Sequence, residues 1–497
     1  MAVLFLVQAC GSALLAYAVG LVVYRLFFSP LSSIPGPKLA AATYAFEYYY
    51  DIVGKGRYTW KIHELHQQYG PIVRINPDEV HFNDSTFYDE IYAREPKKRN
   101  KIRFGANNGN TLFEILDHDV HRRRRAAMNP SFSKRTVQNS EQLVRESIDE
   151  LMERLDGLIG KEPVSLHYVF TGLNLDVISG YCYGKKIGCL KNKNFGKDFF
   201  EFFHSTPQLH PLAHMIPWLF DILFMLPPSI PSMFMPEMKL YQNFLESVRT
   251  EVMRILPSTS TEKTEATKTT NVIQALVHSN LKSEEITPER LVEEASFLLA
   301  AGGESTTSAL ALGAYYVLKS PQILARLREE LRTVLSPNGD VPPVPELERL
   351  PYLTGVVQES VRLSFGVPGR LPRIAPYEGL KYGKYIIPSG TVVSQSLYLL
   401  HTDPAVFPKP LEFEPERWAT KIPSQKFSPF SRGARMCIGM NLAYAELYLA
   451  FAHVFSRFNF ELHDTVEEDV IIKHDFFVGM ADVDSKGIWA KVTGKAI

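Results

Sequence analysis

Cysteine is scarce in this chain, and the few cysteines present do not have the spacing of metal or redox motifs. The 497 residues include four, Cys10, Cys182, Cys189 and Cys437, and no two of them form a Cys-x-x-Cys pair. This excludes a disulfide scaffold, a zinc ribbon and a thioredoxin-type site, and it favours a reduced compartment.

Surplus charge of one sign is also missing. The chain has 54 Lys and Arg against 54 Asp and Glu, so its formal net charge is zero. Binding of nucleic acid by counterion release needs a sustained excess of cations, so we expect no nucleic-acid partner. No Gly-x-Gly-x-x-Gly fingerprint is present, which argues against a nicotinamide- or flavin-binding domain in this chain.

The N-terminal segment lacks charge altogether. Ala2–Tyr24 is an uncharged, largely apolar run, long enough as a helix to span the roughly 30 Å hydrocarbon core of a bilayer. A cleaved signal peptide is the alternative, since Ala16-Tyr17-Ala18 resembles a cleavage site, but no cation precedes the run. We therefore predict a single-pass anchor over residues 1–28. The cations at its C-terminal flank, Arg25 at the end of the uncharged run and Lys38 beyond it, predict that the rest of the chain lies in the cytosol.

Proline separates this anchor from the rest of the chain. The segment over residues 29–37 carries Pro30, Pro35 and Pro37, which predicts a semi-rigid strap rather than a continued helix. The body over residues 38–497 shows long helical periodicity and few strand-like runs, so we predict a mainly α fold with small β-sheets. The predicted helices include Ser140–Leu158, Leu240–Ile255, Pro288–Leu318 and Ile323–Val334, and the predicted strands include Ile72–Ile75, Glu79–Phe82 and Thr391–Ser394.

One region of the body, His210–Pro236, is unusually apolar but is interrupted by proline. It is too short and too broken to span a bilayer. Two interpretations stay open. The segment is either a buried loop with a short helix, or an apolar surface that dips into the membrane beside a substrate entrance.

The residues that indicate a chemistry lie near the C-terminus. Phe430, Gly433, Arg435, Cys437 and Gly439 match the pattern Phe-x-x-Gly-x-Arg-x-Cys-x-Gly at every fixed position. Glycines beside a lone cysteine let the backbone approach a flat macrocycle, and backbone N–H groups can then bond the sulfur. With this motif the chain resembles the cytochromes P450, in which a cysteine thiolate holds the heme iron. The resemblance implies that Cys437 is the axial ligand and that Arg435 neutralises a heme propionate.

Two further motifs extend the resemblance. Glu359 and Arg362 lie at i and i+3 on one helix face, and Arg417 follows in Pro415-Glu416-Arg417-Trp418. In the family such residues form a buried triad that braces the heme-binding core. The spacing alone is a weak signal, since such pairs are common on solvated helix faces.

The other motif is Ala301-Gly302-Gly303-Glu304-Ser305-Thr306-Thr307, inside the helix predicted from Pro288. In the family the small residues open a groove for dioxygen, and an acid followed by an alcohol delivers protons for its activation. By register Glu304 is the acid and Ser305 the alcohol, and Thr306 is a second candidate for the alcohol. The alternative is a Ser/Thr patch bonded back to helix carbonyls.

Further partners for the heme propionates are suggested by position. His121 and Arg125 share a helix face at i and i+4, and Arg373 follows the Glu–Arg motif. Between the first two, Arg122, Arg123 and Arg124 are expected to form a solvated face.

The resemblance covers essentially the whole chain and implies a mainly α cytochrome P450 fold over residues 38–497, with one heme b, behind a transmembrane helix. It implies a monooxygenase that uses O2, a small apolar substrate and electrons from NADPH–cytochrome P450 reductase at the endoplasmic reticulum membrane. The segments around Ser364–Arg373 and His474–Phe477 are similar to fungal secondary-metabolism members of the trichodiene-oxygenase type. A sesquiterpenoid is the first substrate hypothesis, with a polyketide or an indole alkaloid as alternatives. A reductase-independent isomerase or dehydratase and a non-catalytic heme protein are the rival functions.

Overall fold

The computed structural model of the protein describes residues 1–103, 110–226, 230, 233, 236–258, 271–420, 422–423 and 425–496. In chain order the helices are α1 Ala2–Val23, α2 Lys38–Ala42, α3 Ala45–Tyr48, α4 Tyr58–Tyr69, α5 Tyr88–Ile91, α6 His118–Met128, α7 Lys134–Asn139, α8 Glu141–Asp156, α9 Leu166–Tyr183, α10 Lys197–Ser205, α11 His210–Met215, α12 Pro217–Met225, α13 Pro236–Ser258, α14 Val272–Val277, α15 Pro288–Lys319, α16 Pro321–Arg332, α17 Val344–Leu347, α18 Pro351–Ser364, α19 Leu397–His401 and α20 Met440–Arg457.

Short strands accompany the helices. They are β1 Ile72–Arg74, β2 Glu79–Phe82, β3 Val164–Ser165, β4 Arg373–Ile374, β5 Leu380–Tyr382, β6 Tyr385–Ile387, β7 Val392–Ser394, β8 Phe458–Leu462, β9 His474–Phe476, β10 Val478–Met480 and β11 Trp489–Lys495. One sheet has the order β1-β2-β7-β4, another the order β3-β11-β8, and two hairpins pair β5 with β6 and β9 with β10. The predicted fold class, mainly α with small sheets, is confirmed.

The longest helix, α15, runs through the main core and contacts α9, α13, α18 and α20. Its predicted start is confirmed: the Thr287 side chain accepts the N–H of Arg290 at 3.3 Å, and Pro288 occupies the first turn. The other three predicted helices are found as α8, α13 and α16, and the three predicted strands as β1, β2 and β7.

The N-terminal segment forms α1 and continues through a π-helical turn to Phe28. Val3–Phe28 has a mean hydropathy of 2.0, none of its most apolar window is buried, and it is long and apolar enough to cross a membrane. The strap that follows is fixed to the body. Leu31 and Ile34 are buried, and a Cβ on Gly36 would lie 2.4 Å from the carbonyl oxygen of Arg74.

The apolar region after His210 forms two short helices, α11 and α12. On α12 the side chains of Trp218 and Met225 are 61% and 83% exposed, whereas Phe220 is buried. The interpretation as an exposed apolar surface therefore fits α12. Residues 227–229, 231–232 and 234–235 of this region lie outside the described residues.

Candidate active site

Cys437 lies in a tight loop that ends where α20 begins. Its N–H donates to the carbonyl of Phe430 at 2.8 Å, and Gly439 caps α20. Gly433 has a φ of +75°, and a Cβ there would lie 2.3 Å from the carbonyl oxygen of Tyr92. Only glycine satisfies both conditions, so the loop is held against the Tyr92–Ala93 backbone.

The electrostatic surroundings of Cys437 act in opposite directions. Burial among surrounding groups raises the pKa of its thiol, while the backbone N–H groups of Gly439 and Met440 and the charge of Arg125 lower it. The residue nevertheless has an exposed surface, in contrast to the buried Cys182 and Cys189. Cys437 therefore keeps accessible surface among the groups that surround it, and it lies just before the N-terminus of α20, the positive end of that helix dipole, although burial leaves the pKa of its thiol raised.

Cations cluster around this loop, and in the described part of the chain four of them form no ion pair, whereas Arg432 within the loop pairs with Asp89 at 2.8 Å. Among the described residues, none of Lys101, Arg125, Arg373 and Arg435 forms an ion pair, and the buried His121 has a ring nitrogen, Nδ1, with no partner. Burial, followed by the repulsion of neighbouring cations, lowers the pKa of His121 to about 2 and that of Arg435 to about 9. Such a cluster favours a ligand with more than one negative charge. The two propionates of a heme satisfy that requirement, so the residues present fit this cofactor.

The individual contacts show how the fold assembles the cluster. Arg435 donates to the carbonyls of Ile115 at 2.6 Å and Leu116 at 2.7 Å, which ties the cysteine loop to the segment before α6. Arg125, on α6, donates to the carbonyl of Met436, next to the cysteine. Arg373, on β4, is buried beneath the ring of Tyr92 at 5.2 Å.

Lys101 is the member of the cluster that sequence reasoning missed. Its Nζ donates to the carbonyl of Phe113 at 2.6 Å and lies 3.4 Å from the centre of that ring. Burial, with the charges of Arg373 and Arg435, holds its pKa well below the usual range. No motif or spacing in the sequence relates Lys101 to Cys437, so no sequence signal marks it. The expected solvated face is also partly wrong: Arg124 is only 14% exposed and pairs with Glu285 at 2.9 Å.

The middle of α15 presents an exposed face in an otherwise buried helix. Ala301 and Ser305, one turn apart, are both exposed, and the Ser305 hydroxyl donates to the Ala301 carbonyl at 2.9 Å. Thr306 is buried, and the hydroxyl of Thr307 donates to the Gly303 carbonyl at 2.6 Å. Of the two candidate alcohols, Ser305 is therefore the one on the exposed face.

The carboxylate of Glu304 lacks a full set of hydrogen bonds. One carboxylate oxygen accepts a long hydrogen bond from Ser308 at 3.4 Å, and the other is buried without a partner. Burial raises the pKa of this carboxyl from 4.5 to about 7. A carboxyl with this pKa can both hold and release a proton near neutral pH.

The two glycines before Glu304 have a packing role. A Cβ on Gly302 would lie 3.0 Å from Ile178, and one on Gly303 would lie 2.9 Å from Leu175, both on α9. Close approach of α9 and α15 therefore offsets the cost of about 1 kcal/mol for each glycine in a helix interior.

Comparison with known proteins decides the family. The family model described as "Cytochrome P450" matches residues 40–482. This chain belongs to the cytochrome P450 family. It is 37% identical to the cytochrome P450 monooxygenase sdnE of Sordaria araneosa, over 99% of each chain. It is 38% identical to the tryptophan 6-hydroxylase fscE of Fusarium equiseti, over 96% of this chain and 94% of that one. It is 39% identical to the cytochrome P450 monooxygenase TRI4 of Fusarium sporotrichioides, over 91% and 88%.

The protein is thus a cytochrome P450 monooxygenase, and membership in the family implies a heme iron, a redox partner, O2 and a small-molecule substrate. The three residues predicted as the triad of this cytochrome P450 are in contact. Glu359 accepts from Arg362 Nε at 2.5 Å and, through its other oxygen, from Arg417 Nε. Burial raises the pKa of Glu359, and both guanidinium groups lower it. Arg362 also donates to the carbonyls of His401 and Glu412, so the triad joins α18 to the loop before Arg417.

Proposed function

We propose that this cytochrome P450 inserts one oxygen atom from O2 into an apolar secondary metabolite, with heme b on Cys437 and electrons from NADPH–cytochrome P450 reductase. The observation that carries the proposal is the exposed Cys437 surface deep in the protein, beside cations that lack carboxylate partners. The overall reaction consumes O2, two electrons and two protons, and yields the oxygenated product and water.

Different residues of the chain would bind the iron and the propionates of the cofactor. Cys437 would bind the iron, and Gly439 lies beside its sulfur, where a Cβ would make an ordinary contact at 3.9 Å. The cations Arg435, Arg373, Arg125 and Lys101, with His121 as a neutral donor, would bind the propionates. Phe430, packed on Tyr444 at 5.0 Å, would support the loop from behind. When bound, the heme supplies the oxygen-activating chemistry.

Proton delivery is assigned to α15. Ser305 lies on the exposed face with Ala301. Its hydroxyl would bind a water molecule, or donate a hydrogen bond, next to the reacting oxygen. Glu304, whose pKa is about 7, would relay protons from solvent to that hydroxyl. The neighbouring Thr306, which is buried, is the second candidate for this alcohol and would share the role.

The substrate hypothesis is an apolar ring compound, with a sesquiterpenoid first. The similarity to TRI4 supports it, and so does an aromatic wall: Phe113 stacks on Phe297 at 4.8 Å and meets Phe477 edge-on at 5.5 Å. Phe297 lies one turn before Ala301 on the same helix face. An indole substrate is the second candidate, favoured by the similarity to a tryptophan 6-hydroxylase.

Membrane attachment is proposed through residues 1–28, with the strap over 29–37 and the catalytic body over 38–497 facing the cytosol. Lipid is then a partner of α1 and of the exposed side of α12. The endoplasmic reticulum is the expected membrane because it carries the proposed reductase.

The experiment that tests the proposed function is Cys437→Ser in the full-length protein. We expect the native protein to give the thiolate-type spectrum of the reduced carbonyl complex and the variant to lose it. Cys182→Ser, which removes a buried thiol elsewhere, is the matched control and should keep the spectrum. A variant at Cys437 that retains the spectrum would refute the assignment. Turnover without reductase would instead favour a reductase-independent isomerase or dehydratase.

A further inference from the structure

A second cavity lies away from the residues assigned to the heme and the proton relay. It has a volume of about 190 Å³ and is lined by the start of α4, the second half of α15, the end of α18 and the loop before β9. Leu312, in its wall, lies eight residues after Glu304, which is about 12 Å along the helix. Leu411, on its rim, is 49% exposed, so one side of the cavity reaches the surface.

The lining of this cavity is apolar and aromatic, with positive charge and no carboxylate. Trp60, Phe365 and Tyr398 supply rings, and Leu363 and Ile472 supply aliphatic surface. The only ionisable side chains among the lining residues, besides the two tyrosines, are Arg57 and Lys473.

The guanidinium group of Arg57 is available to bind an anionic ligand. Its Nη1 donates to the Lys473 carbonyl at 2.6 Å, and its guanidinium carbon lies 4.9 Å above the ring of Trp60. In the described part of the chain no carboxylate forms an ion pair with it, whereas Lys473 lies 3.7 Å from Asp482. A half-buried guanidinium stacked on an aromatic ring and without a counterion is well suited to bind a planar anion.

Volume and charge together define the ligand. A cavity of about 150 Å³ lined by apolar side chains accepts benzene, so about 190 Å³ accommodates one substituted ring. The cation favours a carboxylate on that ring, and the absence of a lining acid disfavours an amine. We propose that this cavity is a second, non-substrate binding site for a small aromatic carboxylate, with Arg57 as its anchor and the buried Leu312 in its wall.

Benzoate is the probe, and benzamide is its uncharged control. In the full-length, heme-loaded protein we expect saturable benzoate binding by calorimetry without a shift of the heme Soret band. We expect Arg57→Gln to weaken benzoate binding by about tenfold or more, the value of one charge-assisted hydrogen bond. Benzamide should bind both proteins equally weakly.

Two further variants make the test specific. Leu312→Phe, which enlarges a side chain in the cavity wall, should abolish benzoate binding, and Arg349→Gln, which removes an exposed arginine outside the cavity, should leave it unchanged. All three variants should keep the native Soret band and reduced carbonyl spectrum. The proposal is overturned if benzoate binds the Arg57 variant as tightly as the native protein. It is also overturned if benzoate shifts the Soret band, or is displaced by imidazole, because it then occupies the heme site.

Discussion

Glu304 destabilises the folded protein whenever it is ionised, and replacing it should reveal this cost. Burial raises the pKa of its carboxyl from 4.5 to about 7, and its single hydrogen bond, from Ser308, is long. Glu304→Gln keeps the size and the hydrogen-bonding capacity of the side chain but removes the charge. The perturbation therefore isolates the cost of ionising a buried carboxyl.

The sign of the pH dependence follows from the two pKa values. The folded state binds this proton more tightly than the unfolded state, so stability is greatest below pH 4.5 and falls as the pH rises to about 7. The two values differ by about 2.5, which corresponds to about 3 kcal/mol at 1.36 kcal/mol per unit. At pH 8 we therefore expect Glu304→Gln to be more stable than the native protein by about 3 kcal/mol, and at pH 5 by less than about 1 kcal/mol.

Scanning calorimetry at pH 5 and pH 8 measures the effect. For a chain of this length about 3 kcal/mol corresponds to a rise of about 3 °C in the unfolding midpoint. Glu289→Gln is the matched control, since it removes an exposed carboxyl from the first turn of the same helix. If Glu304→Gln raises the midpoint equally at both pH values, or at neither, the Glu304 carboxyl is not the buried group with the raised pKa.

Three further predictions concern catalysis, the core and topology. Ser305→Ala should lower product formed per NADPH moderately, and the Ser305→Ala/Thr306→Ala pair should lower it much further while releasing hydrogen peroxide. Unchanged coupling in the pair would contradict the relay. Glu359→Gln should destabilise the fold by about 3–5 kcal/mol, as measured by urea unfolding, because it leaves the guanidinium group of Arg362 buried without an ion-pair partner, while Arg417 keeps Glu414 at 3.0 Å. A loss below 1 kcal/mol would mean that the triad does not brace the core. Asn83 is exposed within Asn83-Asp84-Ser85, yet a cytosolic body should show no glycosidase-sensitive mass shift on expression in a eukaryotic host. A shift abolished by Asn83→Gln would show that the orientation is reversed.

Helices with a clear boundary signal were predictable from sequence, and uniformly buried ones were not. For α15, Thr287 and Pro288 marked the first turn, and the predicted end at Leu318 falls one residue short of Lys319. By contrast α9 is buried on nearly every side, so its sequence has no polar face to create a 3.6-residue period. The helix that packs most closely on Gly302 and Gly303 was therefore the one that periodicity could not find.

The residues of the candidate site also differ in whether the sequence predicts them. Cys437, Glu304 and the triad residues lie in contiguous motifs, where a fixed spacing reflects a local backbone geometry such as the turn at Gly433. Lys101 has no such spacing, because it reaches Arg373 and Arg435 only through the tertiary packing of three separate segments. Arg373 could be proposed from the sequence because it follows the Glu359–Arg362 motif, whereas Lys101 belongs to no motif and joins the cluster only through tertiary packing.

The cation cluster also links cofactor binding to folding. Lys101, Arg373 and Arg435 come from separate segments, and each lowers the pKa of His121, on α6. Their mutual repulsion is a cost that the folded chain bears until an anion neutralises it. An anion that binds only the folded arrangement removes this cost and stabilises the protein by mass action. The same residues that would hold the propionates therefore make the packing of the segment before α6, the cysteine loop and β4 depend on the cofactor.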